Sequence, residues 1–301
     1  MTDPPERPRR GERLWWLAAL GAVVAFVGVG GLYVQHSRVE DPPPVVATLS
    51  PATAERPGPA LRTAPPPPRT AAVYEGYGTW VDVFDVDPAY TDPPPLTAES
   101  LAEMGELGVG TVYIQAARLD DRSPDGLVDP WLLTEWLLRA DAAGIDLVGW
   151  YLPFFGTDVA DVERLEAVAE FEVLGRRFAG VAVDIEWIGD ARNAVRDTDG
   201  DGEADDEAID PPTRSQRLVE LSTALRSSAG GDPLGAIVPP PVQMEVVNPD
   251  FWPGFPWADL APLYDVWLPM SYWSFRSDAS GYGDGFAYHE ESVRRLRANL
   301  G

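Results

Sequence analysis

Six short apolar runs, each followed by an amphipathic stretch, constrain this chain more than any other feature. The runs are Thr79–Phe84, Gly110–Gln115, Asp146–Tyr151, Gly180–Glu186, Leu234–Val238 and Asp265–Tyr272. Runs this short and this apolar read as strands covered on both faces, as in parallel sheets. Between them the spacing predicts helices over Thr97–Leu107, Pro130–Ala143, Val159–Arg177 and Arg214–Ser227, with His289–Leu300 closing the chain. Thr97 is the expected N-cap of the first helix and Gly144 the expected C-cap of the second. Strands that alternate with helices through right-handed crossovers build a parallel sheet. The expectation is therefore an α/β fold over residues 74–301, a (β/α)8 TIM barrel of which six strands are visible. Eight strands with their helices typically take ~250 residues, so the sequence reads as a fragment lacking strands seven and eight. A doubly wound open sheet is the alternative, without the Gly-rich phosphate loop that would support it.

The first 73 residues are of a different kind. Arg7, Arg9, Arg10 and Arg13 precede Leu14–Val34, a run of 21 residues without a charge. A bilayer-spanning helix needs about 20 such residues, and arginines placed before it keep the N-terminus cytoplasmic. Trp15, Trp16 and Tyr33 stand near its ends, where interfacial aromatics settle. Residues 1–13 are thus expected to be a cytoplasmic tail and residues 14–34 an uncleaved signal anchor, with a cleaved signal peptide as the alternative. Residues 35–73 are rich in Pro, Ala and Thr, including Pro65-Pro66-Pro67-Pro68. Such a stretch cannot build a core and is expected to be a disordered, semi-rigid spacer that holds an extracytoplasmic domain away from the cell membrane.

Composition removes several function classes. A net charge of −25 argues against nucleic-acid partners, which need a basic surface. The chain has no Cys, which excludes disulfides, thiolate catalysis and Cys-ligated zinc. With only His36 and His289, a His-based triad or a multi-His metal site is not expected, and no cofactor is expected for catalysis.

The chemistry concentrates in Phe178–Trp187. Residues two apart on a strand share a face, so Ala182, Asp184 and Glu186 point one way and Val181, Val183 and Ile185 the other. A small residue below two acids suits the inside of a β/α barrel near its C-terminal mouth, where such enzymes do chemistry. Two carboxyls on one face ionise less readily than free ones, so one can keep a proton and act as a general acid. On the second strand Thr111, Tyr113 and Gln115 share a face. On the sixth, Val266, Leu268, Met270 and Tyr272 share one. Trp150, Tyr151, Trp187 and Trp273 end or follow strands, and Trp252 and Trp257 sit in the loop after the fifth. Indoles around two acids suggest carbohydrate, because C–H faces of sugar rings stack on them; packing between strand and helix is the alternative for each Trp. Gln243 and Glu245 follow the fifth strand at a height that fits a substrate contact. Asp82 and Asp85 are read as helix-capping groups.

The segment Gly180-Val-Ala-Val-Asp-Ile-Glu186 resembles the fourth strand of the family 18 glycoside hydrolases, the chitinase-like barrels, whose pattern is Asp-Gly-x-Asp-x-Asp-x-Glu. Ala179 and Ala182 stand where that pattern has its first two acids. Met270-Ser271-Tyr272-Trp273 is similar to the family's Met-x-Tyr-Asp, with Trp273 in place of Asp. The resemblance implies a glycosidase in which Glu186 protonates the leaving oxygen, Asp184 partners it, and Tyr272 clamps the substrate's own N-acetyl group, which replaces an enzyme nucleophile. Tyr113, Gln115, Trp150, Tyr151, Trp187, Gln243, Glu245, Met270 and Trp273 are the expected substrate contacts, and a polysaccharide or cell-wall glycan the expected partner. A non-catalytic carbohydrate-binding barrel and a cell-envelope scaffold are the alternatives.

One further motif lies between the acids and the next helix. Asp197, Asp199, Asp201 and Asp205, with Gly202 at the turn, match the opening positions of a calcium loop within residues 197–208. A structural Ca2+ is the expectation there, and a solvated acidic loop the alternative.

Overall fold

The computed structural model of the chain describes residues 66–118, 122–123, 126–153, 158–186 and 210–301. The anchor, most of the spacer, Trp187 and the acidic loop lie outside the described residues. All six expected strands form. They are β1 (Gly78–Val81), β2 (Thr111–Ala117), β3 (Asp146–Tyr151), β6 (Gly180–Asp184), β7 (Leu234–Val238) and β8 (Val266–Pro269). They make one sheet in the order β1-β2-β3-β6-β7-β8, and every neighbouring pair is parallel. A doubly wound sheet reverses its strand order at a switch point. Here the order follows the chain without a reversal, which removes that alternative and leaves a curled parallel sheet that fits part of an α/β barrel.

The helices are α1 (Val83–Val86), α2 (Ser100–Glu106), α3 (Pro130–Ala143), α4 (Asp158–Glu170), α5 (Pro211–Ala229), α6 (Trp257–Leu260) and α7 (Gly285–Leu300). Asp129 caps α3 by accepting from the backbone N–H groups of Trp131 and Leu132, with Pro130 at its first position. Three expectations shift. The helix expected over Val159–Arg177 ends at Glu170, and its tail becomes an antiparallel ribbon, β4 (Glu172–Val173) with β5 (Arg176–Arg177). Leu174 and Gly175 at its tip both adopt positive φ, 52° and 71°, the turn that favours a tight hairpin. The first strand stops at Val81 because Asp82 caps α1, accepting from Phe84 and Asp85 while Asp85 reaches back to the Asp82 N–H. Thr97 does not cap α2: its position falls to Glu99, which makes no side-chain cap bond.

The sheet has two faces with different fates. Val112, Ile114, Leu147, Val181 and Val183 pack outward on Leu133, Trp136, Leu165 and Leu218 of the helices. The concave face holds Tyr113, Val148, Trp150, Ala182 and Ile237. Its N-terminal end is filled by a single turn of 3-10 helix, Ala71–Tyr74. The Tyr74 hydroxyl donates to the Val181 carbonyl at 2.8 Å and accepts from the Val181 N–H at 3.0 Å, while Thr111 donates to the Val73 carbonyl at 2.8 Å. Before that turn, the Arg69 guanidinium donates to the carbonyls of Phe178 and Ala169 and pairs with Asp232 at 2.6 Å. Arg69 and Val73, read from the sequence as part of the end of the spacer, are thus packed against the sheet.

Gly180 is where this plug needs a missing side chain. A Cβ there would stand 2.7 Å from the Tyr74 hydroxyl and 2.9 Å from its ring carbon Cζ. Gly180→Ala is expected to push Tyr74 off Val181 and to destabilise the chain by about 1–3 kcal/mol, the usual cost of overpacking. Urea unfolding measures it as a lower midpoint at unchanged slope. An unchanged midpoint would show that the plug does not support β6.

Candidate active site

The two acids stand at the C-terminal end of β6, opposite the plug. Asp184 is its last residue and only 8 % exposed. Its Oδ1 is buried with no hydrogen-bond partner among the described residues. The strand's direction continues past the assigned end, because the Ile185 N–H still donates to the Ile237 carbonyl at 2.7 Å. Ile185 is buried on the helix side, so the alternation carries to Glu186, which is half-buried. Burial, and then the charge of Glu186, hold the Asp184 carboxyl well above the usual carboxylate range.

Tyr272 joins this pair from the far edge of the sheet. The backbone leaves β8 at Pro269 and turns into a short 3-10 helix over Trp273–Phe275, which leaves Tyr272 50 % exposed. Its phenol is pushed up to about 12 by burial first, and then by Glu186, Asp184 and Asp82. Asp82 follows β1, at one edge of the sheet, and Tyr272 follows β8, at the other. The Asp82 carboxylate nonetheless adds to the upward shift of the Tyr272 phenol. Asp82 caps α1 as the sequence predicted, and its carboxyl is also raised, by burial and then by Asp85.

The concave face below is lined by side chains from adjacent strands. Tyr113 stacks on Trp80, ring centroids 4.1 Å apart, and Trp80 meets Trp150 edge-on at 6.3 Å. The Tyr113 hydroxyl points down toward the Tyr74 carbonyl, 3.5 Å away. Gln115 is buried, and its Oε1 accepts from the Val83 N–H at 3.3 Å. Met270 packs on the same inner cluster.

Other expected site residues lie elsewhere. Tyr151 faces the helices, where its hydroxyl donates to Asp161, so it stands on the opposite side of the sheet from Asp184. Glu245 is held by Arg295 at 2.8 Å and Asn299 at 2.5 Å of α7. Gln243 starts the turn after β7, with its Oε1 buried. Trp273 lies against Gly285 at the start of α7, and a Cβ on that glycine would come 3.0 Å from its ring. Trp252 and Trp257 belong to the helix-side core. Trp187 and Asp197, Asp199, Asp201 and Asp205 fall outside the described residues. Among the described residues no group of three or more acidic or His side chains could hold a metal ion, and no helix is long and apolar enough to cross a membrane. The sequence reading passed over Trp80, although alternation along β1 puts it on one face with Gly78 and Asp82.

Known proteins give little more. No family profile matches the sequence and no curated protein matches it. Solved structures that are similar in part include three of low identity. A glycoside hydrolase family 18 N-acetylglucosaminidase from Paenibacillus barengoltzii is 17 % identical, with a TM-score of 0.39 over 66 % of this chain and 54 % of that one. A class V chitinase from Pseudomonas fluorescens Pf-5 is 13 % identical, with a TM-score of 0.40 over 66 % and 55 %. A D-threonine aldolase from Filomicrobium marinum is 16 % identical, with a TM-score of 0.31 over 62 % and 43 %. The chain thus spans about half the length of the structures it matches.

The raised Asp184 fixes a pH dependence. The folded chain binds this proton more tightly than the unfolded chain, whose Asp titrates near ~3.9. The stability it contributes is full below that value and is lost as pH rises toward and through the folded-state pKa. Asp184→Asn removes the ionisation. Its melting temperature should match wild type near about pH 4 and exceed it increasingly toward neutrality, as followed by circular dichroism. A gap independent of pH would contradict the shift.

Proposed function

We propose that this domain hydrolyses a glycosidic bond in a polysaccharide or cell-wall glycan, with Glu186 as general acid. The observation that supports this best is the shared electrostatic neighbourhood of Asp184, Glu186 and Tyr272 at the open end of the sheet. Neighbouring carboxyls of which one is buried tend to share a proton near neutral pH. Passed to Glu186, that proton sits on the less buried of the two acids, where a leaving glycosidic oxygen can take it. Tyr272, whose phenol is pushed up to about 12, stays an O–H donor and can hold an acceptor oxygen of the substrate. By the family resemblance, that acceptor is the acetamido carbonyl that attacks the anomeric carbon as the leaving group departs. The proposal extends to location: the uncharged run Leu14–Val34 after four arginines supports a domain tethered outside the membrane.

A carbohydrate-binding barrel without turnover is the second reading. It is favoured by the aromatic wall of Trp80, Tyr113 and Trp150, which needs no acid to bind a sugar.

Sugar release from chitin, peptidoglycan and α- and β-glucans by wild type and Glu186→Gln separates the two. For the hydrolase, the substitution should reduce release by about 10²- to 10⁴-fold, the usual contribution of a general acid, while binding persists. Undiminished release by Glu186→Gln removes Glu186 from the chemistry. Binding by both proteins with release by neither leaves the binding barrel.

A further inference from the structure

Two hydrogen-bond donors on the concave face lack an acceptor among the described residues. Gln115 is 2 % exposed and Trp150 is 8 % exposed, and neither the Gln115 Nε2 nor the Trp150 Nε1 has a partner among the described residues. The orientation of the Gln115 amide follows from its neighbour. The Val83 N–H can only donate, so the amide oxygen must face it, and the NH2 is turned the other way. Val83 follows Asp82 in the chain, which fixes Gln115 beside the acidic rim. Gln115 and Trp150 are also register partners on β2 and β3, so their side chains are neighbours on one face. A buried donor left without an acceptor costs about 1–3 kcal/mol, and here two stand side by side beneath a third unpartnered atom, the Asp184 Oδ1.

We propose that Gln115 and Trp150 form a donor subsite that hydrogen-bonds oxygen atoms of an uncharged sugar ring lying against the exposed face of Trp80. The proposal rests on the glycan reading above and adds its specificity. Trp80 is 44 % exposed and is backed by Tyr113, so its open surface offers a stacking platform. Asp82 and the Asp184–Glu186 pair, which keeps one proton and so carries a single negative charge, stand at the same rim as Tyr272. They repel a carboxylate-bearing sugar and leave hydroxyl and ether oxygens as the acceptors the two donors can take.

The test measures binding by the full chain, in a non-glycosidic detergent, of neutral cello-, malto- and chito-oligosaccharides and of uronate oligomers. Gln115→Met and Trp150→Phe remove one donor each, and the second keeps its ring and leaves the Val83 contact intact. Each should weaken the tightest neutral ligand about tenfold, the worth of one hydrogen bond to a buried group, and uronates should bind more weakly than neutral oligomers at low salt. The melting temperature of Trp150→Phe should stay near wild type, so that weaker binding is not misfolding. Unchanged affinity in both variants overturns the subsite and leaves the Glu186 chemistry standing. Binding lost in the variants, by a wild-type chain that releases no sugar, keeps the subsite and removes the hydrolase. A chain that binds no oligosaccharide overturns both.

Discussion

The rest of the domain depends on one side chain, Tyr74, whose hydroxyl bonds both the N–H and the carbonyl of Val181. A parallel sheet with its helices on one side has a concave face that nothing in the strand–helix repeat covers. In this chain a segment from before the first strand covers it, at the N-terminal end. Val73 and Tyr74 join Val148, Ala182 and Ile237 in a small inner cluster, and the buried Arg69 fastens the approach through two carbonyls and Asp232. Burial alone would leave the Tyr74 phenol short of partners; the Val181 backbone supplies one acceptor and one donor. Closing one end leaves the other end to the residues at the strand tips, which is where Asp184, Glu186, Asp82 and Tyr272 stand.

The strands were legible because period and length agree: largely apolar runs of five to eight residues between helical stretches admit few architectures. The alternation in Val181–Glu186 was legible for the same reason, and its outward set, Val181, Val183 and Ile185, is in the helix-side core. Tyr151 shows the limit. Its place in the run Leu147–Tyr151 fixes its face relative to Trp150, and the two residues point opposite ways, so only one could reach the mouth. An aromatic at a strand tip is not sufficient for the mouth, because the parity of its position divides the pair. The plug was illegible for a different reason. Its contacts join residue 74 to residues 180–182, and no local pattern in a Pro- and Ala-rich stretch encodes a partner about 107 positions away. The glycines that admit it, Gly180 and Gly235, fall in the fourth and fifth strand runs, and nothing local in those runs shows that Tyr74 packs against them. For Asp82 the sequence supports capping, with at most one of Asp82 and Asp85 facing the mouth, because a local pattern cannot show that a cap after β1 acts on a tyrosine after β8.

Tyr74 also accounts for the departure at Ala182. The family motif that the fourth strand of the sheet resembles has an acid at that position. Ala182 is fully buried, and a Cβ on the neighbouring Gly235 would stand 3.2 Å from the Ala182 methyl and 3.0 Å from the Tyr74 ring. Ala182 lies in the small apolar cluster that Tyr74 packs against, where an unpaired carboxylate would be costly. With that position apolar, Asp184 has one charged neighbour that matters, Glu186, and burial is the larger influence on its carboxyl. The proton of the pair is therefore held by desolvation from below and by a single carboxylate from above. An acid in the 182 position would add a second negative charge beneath Asp184 and raise the proton affinity further. The packing that closes the floor of the sheet thus leaves Glu186 as the neighbouring carboxyl that acts on Asp184 at this end of β6.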